Sequence, residues 1–328
     1  MTLSNLPPLV TVFGGSGFVG RHVVRALAKR GYRIRVAVRR PDLAGFLQPL
    51  GNVGQISFVQ ANLRYRSSVD AAVQGADHVV NCVGILFESG RNGFDAVQDF
   101  GARAVAEAAR SVGATLTHVS AIGADAKSDS VYAATKGRAE AAVQSILPDA
   151  IILRPSIVFG PEDGFFNKFA AMARIAPALP LVGGGKTKFQ PVYVGDVAEA
   201  VARAVSLREA AGRTFELGGP AVMTFEDLLK LVLRETYRPS RGLVPLPFFA
   251  AKMIGGMAQL STMVCIPPVL TRDQVVLLET DNVVDEGAEG LAELGIEPTG
   301  VEAIAASYLW RYRKGGQFAS APVKTTPV

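Results

Sequence analysis

Along the first half of the chain, short strand-like apolar runs alternate with longer stretches whose apolar positions recur every three to four residues. The runs are Leu9 to Phe13, Arg33 to Val38, Ile56 to Val59, Asp77 to Cys82, Thr115 to Val119 and Ala150 to Leu153. The periodic stretches, from about Phe18 to Arg30, from the fourth run to about Val112, and onward from near Tyr132, predict helices. Strands alternating with helices specify a doubly wound parallel sheet, because parallel neighbours need crossovers that cover both sheet faces. The expected fold is therefore α/β, a Rossmann sheet with a smaller C-terminal α/β lobe.

Near residue 160 the spacing becomes irregular, with Pro161, Pro177, Pro180, Pro191 and Gly183-Gly184-Gly185 breaking the pattern. The division this suggests is a nucleotide-binding domain over 1–160, to whose sheet later segments return, and a second lobe over 161–314. Within that lobe, strands are expected at Lys188 to Val194 and Thr214 to Leu217, and helices at Asp196 to Leu207 and Thr224 to Tyr237. Residues 315–328, rich in Gly, Ser, Pro and Thr, are expected to be a disordered tail.

The most apolar stretch, Phe248 to Ile266, is bracketed by Pro245, Pro247, Pro267 and Pro268 and interrupted by Lys252, Gly255-Gly256 and Gln259. A spanning helix needs about twenty mostly apolar residues, so this one is marginal as a span. Phe249, Met253, Met257, Leu260 and Val264 recur at helical steps, with Lys252, Gly256 and Gln259 on another face. Such a stripe suits a bilayer interface or a partner subunit, and equally the core of the second lobe. Trp310 and Tyr312, among Arg311, Arg313 and Lys314, have the composition of a headgroup-level contact over 310–314.

The 328 residues, 49% of them hydrophobic, suffice for one large core with an appended lobe. The net charge of +5 is modest and no segment forms a basic arm, so nucleic acid is not an expected partner and the excess suits phosphate or lipid headgroups. Two cysteines, Cys82 and Cys265, make neither a metal cluster nor a disulfide framework, so no metal is expected and a reducing cytoplasmic setting fits. Met1 to Pro8 lead into the first strand without a signal-peptide pattern, which puts the expected start of the mature chain near residue 1.

The clearest chemical signal is Phe13-Gly14-Gly15-Ser16-Gly17-Phe18-Val19-Gly20, which leaves the first predicted strand and enters the first predicted helix. Glycines there permit a tight turn and close approach of backbone to a pyrophosphate, and the helix N-terminus offers free N–H groups. Gly14, Gly15, Ser16, Gly17, Phe18, Val19 and Gly20 are thus candidate dinucleotide-binding residues. About twenty positions downstream an acid would select NAD through the ribose 2'-hydroxyl. The second strand ends instead in Val38-Arg39-Arg40-Pro41, and two guanidinium groups without a carboxylate suit a 2'-phosphate, which makes NADP(H) the expected cofactor.

The glycine turn, Tyr132-Ala133-Ala134-Thr135-Lys136 and Arg154-Pro155-Ser156-Ile157-Val158-Phe159-Gly160-Pro161 together resemble the extended or atypical short-chain dehydrogenases over roughly residues 9 to 235. The resemblance implies catalytic roles for Tyr132 and Lys136, and residues four apart on a helix share a face, so Lys136 could lower the Tyr132 pKa and reach a nicotinamide ribose. It also implies cofactor contacts at Ser120, which follows the fifth strand, and at Pro155 and Ile157. Asn62, beside Leu63, stands where these families often carry an Asp near the adenine, and Asn81-Cys82-Val83-Gly84 is a degenerate form of the segment after the fourth strand, placing Cys82, Val83 and Gly84 at the cofactor.

Asn81 to Gly84, His118-Val119-Ser120, Gln190-Pro191-Val192-Tyr193-Val194-Gly195-Asp196-Val197 and the apolar C-terminal stretch resemble more closely the NADPH-binding accessory subunits of respiratory complex I, over about residues 8 to 314. That resemblance implies tightly held NADPH, a vestigial Tyr132–Lys136 pair without independent turnover, and docking among peripheral-arm subunits near the membrane. For a bacterial member the implied location is the cytoplasmic face of the inner membrane. Two alternatives stay open: an independent NADPH-dependent reductase or epimerase acting on a small carbonyl or sugar nucleotide through Tyr132 and Lys136, and a regulator that reads NADP(H) occupancy without chemistry.

Overall fold

Leu9–Phe13 forms β1 and is buried at every position, because β2 (Arg33–Val38) pairs with it in parallel on one edge and β4 (His78–Asn81) on the other. Beyond β2 lies β3 (Ile56–Gln60); beyond β4 lie β5 (Thr115–Val119), β6 (Ile151–Pro155) and β11 (Thr214–Leu217). The resulting seven-stranded sheet is parallel throughout, in the order β11-β6-β5-β4-β1-β2-β3. Its direction of growth reverses between β1 and β4, and at such a switch a crevice opens at the carboxyl ends of the strands. The computed structural model describes residues 6–259 and 271–319.

Successive strand residues face opposite sides, so a sheet covered on both sides needs apolar side chains at every position. Val12, Val36 and Leu153 pack against Val23 and Leu27 of α1 (Phe18–Lys29) and Val197 and Val201 of α6 (Val194–Ser206). On the other side Val79, Leu116 and Ile152 meet Val69 of α2 (Arg66–Val73), Val105 of α3 (Phe100–Ser111) and Val143 of α4 (Val131–Ile146). Each such side chain contributes roughly 1.5–3 kcal/mol when fully buried. Both α6 and β11 follow residue 160 and yet belong to this sheet and its cover.

The remaining elements surround a third cluster that includes Phe159, Phe166, Phe225, Leu229 and Tyr308. They are α5 (Phe166–Ile175), α7 (Phe225–Glu235), α10 (Val301–Leu309) and three two-stranded sheets: β7 (Val158–Phe159) with β10 (Val192–Tyr193), β8 (Ala178–Val182) with β13 (Gly242–Leu246), and β9 (Lys188–Phe189) with β12 (Met223–Thr224). Helices α8 (Phe248–Gln259) and α9 (Arg272–Leu277) pack on one another at the edge of this lobe.

Several local expectations change. The strand expected over Lys188 to Val194 is two short strands flanking Gln190-Pro191, since Pro191 has no N–H to give to a ladder, and Val194 already begins α6. The helix expected after the fourth strand is delayed: residues 82–92 stay in loop conformation, and a π-helical turn over Asp95–Asp99 leads into α3. At the start of the expected tail, Gly316–Phe318 form a single 3-10 turn. On α8, Phe248 and Ala251 meet the third cluster while Phe249 and Met253 are 70% and 68% exposed, so the apolar stripe is divided between core and surface. The rest of the stripe, Leu260 and Val264 onward to Ile266 with Cys265, lies outside the described residues. Among those that are described, no helix is long and apolar enough to cross a membrane.

Candidate functional site

The glycine turn sits at the switch point. Gly14 adopts a left-handed φ of +75°, which a side chain would strain, and its N–H donates to the Ala37 carbonyl at 3.1 Å, binding the turn to β2. The glycines then divide their work. A Cβ at Gly20 would enter the Gly14 carbonyl and come within 2.7 Å of the Gly15 Cα, and one at Gly15 would come within 2.9 Å of Val36 Cγ1, so these two allow α1 to lie close on the sheet. Gly17 is different. It is the N-cap of α1 at an ordinary φ of −73°, and its missing Cβ would have only the Gly14 oxygen, at 3.1 Å, within reach. The space beside Gly17 is a cradle that a dinucleotide's phosphates fit, at a helix start whose N–H groups favour anions. Phe18 stacks edge-on against His22, and Val19 packs into the first core cluster.

That cradle opens into a cleft of about 210 Å³ lined by Gly14, Ser16, Gly17, Arg39, Asn62, Leu63, Arg64, Cys82, Val83, Gly84 and neighbouring residues. The structure thus brings together the turn, the end of β2, the segment after β3 and the segment after β4. It separates Arg39 from Arg40. Arg39 faces the cleft, where its Nη1 donates to Asn92 Oδ1 at 3.3 Å. Arg40 turns away and makes a two-pronged pair with Asp42, at 3.1 and 2.8 Å, which corrects the reading that no carboxylate stands at this strand end. The second cation of the cleft is Arg64, which the sequence reading missed. Asn62 Oδ1 accepts from the Arg64 backbone N–H at 3.2 Å and from its Nε at 3.4 Å, and Arg64 Nη1 donates to the Arg91 carbonyl. A basic residue two positions after Asn62 was the available signal.

Tyr132, Lys136, Ser120, Pro155 and Ile157 are not among the residues lining the cleft. Lys136 adjoins it behind Gly84, where a Cβ would lie 3.6 Å from Nζ. The Lys136 ammonium is buried and donates to the Val119 carbonyl at 3.1 Å; burial pulls its pKa down to about 8, against the opposing field of Glu140. Tyr132, edge-on to Phe94, is pushed up to about 12 by burial and then by the negative charge of Asp273. Burial likewise holds the Cys82 thiol protonated, at about 12, and His118 neutral, at about 3, with Lys136 adding to the latter. The His118 ring meets Asn81 Nδ2 at 3.2 Å, while its Nε2 and the Ser120 hydroxyl, both buried, have no partner among the described residues. An unpaired buried hydroxyl normally awaits a ligand or a water. Ser120 therefore fits the nicotinamide end of a dinucleotide, but burial, and after it the Asp273 carboxylate, opposes ionisation of Tyr132.

Pro155 ends β6 with its carbonyl accepting from Ile122, and the Ile157 N–H is taken by Asn282 Oδ1 at 3.2 Å. No group of three or more His, Cys, Asp or Glu among the described residues is placed to hold a metal ion.

A seven-stranded parallel sheet with a glycine turn at its switch point and a Tyr–Lys pair on the fourth helix defines a dinucleotide-binding protein of the short-chain dehydrogenase kind, and residues 10–218 match the NAD dependent epimerase/dehydratase family. The chain belongs to that family, whose members work with nicotinamide dinucleotides. It is a homologue of "NADH dehydrogenase [ubiquinone] 1 alpha subcomplex subunit 9, mitochondrial" of Mus musculus, being 35% identical to it over 97% of this chain and 84% of that one. "Ceramide reductase" of Caulobacter vibrioides is 36% identical over 58% of each chain. Among solved structures, the dTDP-glucose 4,6-dehydratase DesIV of Streptomyces venezuelae shares the fold at a TM-score of 0.69 and 18% identity, covering 93% of this chain and 96% of that one.

Proposed function

We propose that the chain is an NADPH-binding accessory subunit of respiratory complex I, the NADH:ubiquinone oxidoreductase, with a structural or assembly role and no independent turnover. One observation carries the reading: the likeness to the alpha-subcomplex subunit runs through 97% of the chain, whereas the likeness to the ceramide reductase stops at 58%. Burial and then Asp273 keep Tyr132 a neutral phenol, which is no ready base for oxidation or epimerisation but retains the proton that a carbonyl reduction would need. NADPH is favoured over NADH by Arg39 and Arg64, which give the adenosine end of the cleft two cations and no acid. The partners are other subunits of the peripheral arm near the membrane, at the cytoplasmic face of a bacterial inner membrane. Exposed Phe249 and Met253 on α8, together with 310–314, support contact there with a subunit or the bilayer surface.

A second reading is favoured by the retained Tyr132–Lys136 spacing and the ceramide reductase likeness: an independent NADPH-dependent reductase. Purification of the tagged full chain from detergent-solubilised membranes, with mass spectrometry of its companions, separates the two. The first reading expects complex I subunits alongside stoichiometric NADP(H), and unchanged assembly and electron transfer in Tyr132→Phe. A chain that elutes alone and steadily oxidises NADPH with a carbonyl substrate, activity being lost in Tyr132→Phe, establishes the second.

A further inference from the structure

Helix α4 carries Tyr132 and Lys136 and has no acid of its own in its first turn. The acid is supplied from the far end of the chain. Asp273, on α9, accepts from the Val131 N–H at 2.8 Å, from the Tyr132 N–H at 3.3 Å and from the Ser130 hydroxyl at 3.0 Å, while Ser130 caps Ala133. A carboxylate at a helix N-terminus satisfies orphan donors and complements the helix dipole. Two further grips come from the same stretch. Gln274 Nε2 donates to the Leu86 carbonyl at 3.4 Å, just past the loop that lines the cleft, and Asn282 reaches Ile122, Ser156 and Ile157.

Residues 271–282 thus hold the three segments around Lys136, Gly84 and Ile157 at once. Their other side is joined to α8. A Cβ at Gly255 would lie 2.8 Å from the Arg272 nitrogen, so the two helices touch backbone to backbone, and Lys252 pairs with Glu279 at 2.7 Å. Helix α8 is the one that exposes Phe249, Met253 and Ile254.

From this continuous path we infer that Asp273 is a positioning residue that couples the nucleotide site to α8: nucleotide bound beside Lys136 orders the start of α4, which seats the clasp of residues 271–282 and with it the exposed apolar face. The inference rests on the proposed binding of NADP(H) and deepens it by naming the route from site to docking face. Linkage makes the coupling reciprocal, so loosening the clasp must weaken nucleotide binding by the factor by which nucleotide tightens the clasp.

The test is amide hydrogen exchange and NADPH titration on the full chain, in wild type, Asp273→Ala and the near-isosteric Asp273→Asn. NADPH is expected to slow exchange in residues 249–256 and 271–277 of the wild type as well as in the cleft. In Asp273→Ala that distant protection is expected to vanish while protection of 14–20 persists, with Kd for NADPH raised about tenfold; Asp273→Asn, which keeps an acceptor without the charge, should fall between. A merely structural Asp273 would lower Tm without altering which segments NADPH protects. Protection confined to the cleft in the wild type, or a Kd within twofold of wild type in both variants, overturns the coupling. A wild type that shows the distant protection but does not accompany complex I keeps the coupling and overturns the accessory-subunit reading instead.

Discussion

Arg39 and Arg40 are adjacent in sequence and unlike in surroundings. Arg39 faces the cleft, whereas Arg40 lies outside it and is committed to Asp42. A charge-assisted hydrogen bond contributes about 1.5–3 kcal/mol, or roughly tenfold to a hundredfold in affinity. Isothermal titration should therefore show Arg39→Ala losing at least tenfold in NADPH affinity with little change for NADH. Arg40→Ala should stay within twofold, and equal losses at both positions would contradict this assignment. Lys136 supports a second test. Its pKa of about 8 in the fold lies below its ordinary 10.5, so between those values the unfolded chain binds more protons and stability must rise with pH, by at most about 1.4 kcal/mol per unit. Tyr132, raised from 10, acts in the opposite sense only above about pH 10. The excess of wild-type Tm over that of Lys136→Met, measured without nucleotide, should grow from pH 8 to 10; a flat difference would count against a buried, depressed Lys136.

At the level of elements, the glycine turn allows packing and binding to be separated by experiment. Gly20→Ala forces a methyl into the Gly14 carbonyl and should cost about 1–3 kcal/mol through overpacking, seen as a lower urea midpoint. Gly17→Ala brings its methyl to 3.1 Å from one backbone oxygen, that of Gly14, and should lower that midpoint less than Gly20→Ala does while abolishing nucleotide binding. Undiminished nucleotide binding in Gly17→Ala would show the turn to be structural only. The strands and helices of the first half were legible because burial on both sheet faces leaves an unbroken apolar signature, as in Leu9 to Phe13, and the glycine turn was legible because strand, turn and helix stand in one continuous run. What was hidden needed contacts across the fold. Asp42 folds back on Arg40 through the short helical turn of Pro41–Leu43. The delayed start of α3 depends on Gln98, which is buried between the Ile85 carbonyl and Thr135 and holds the π turn. No local pattern at Asp273 announces that it caps a helix more than a hundred residues earlier.

Across the whole molecule, two features of the chain converge. The cleft at the sheet's switch point has a phosphate cradle and two cations, and a carboxyl-terminal clasp ties the far side of that site to a helix with an exposed apolar face. A ligand that binds only the folded form stabilises it by roughly 4 kcal/mol at a thousandfold excess over Kd, a large share of the roughly 5–15 kcal/mol by which a typical domain is stable. On the proposed coupling, nucleotide binding decides whether the apolar face of α8 is held in place. The most direct measurement of the central claim replaces the wild-type chain in its own cells with Gly17→Ala and, separately, Arg39→Ala, and quantifies each protein and its NADP(H) in solubilised complex I. The account predicts that Gly17→Ala folds, carries little or no nucleotide and is depleted from the complex at least severalfold, and that Arg39→Ala is depleted only in proportion to the NADP(H) it has lost. Nucleotide-free variants retained at the wild-type level would contradict it.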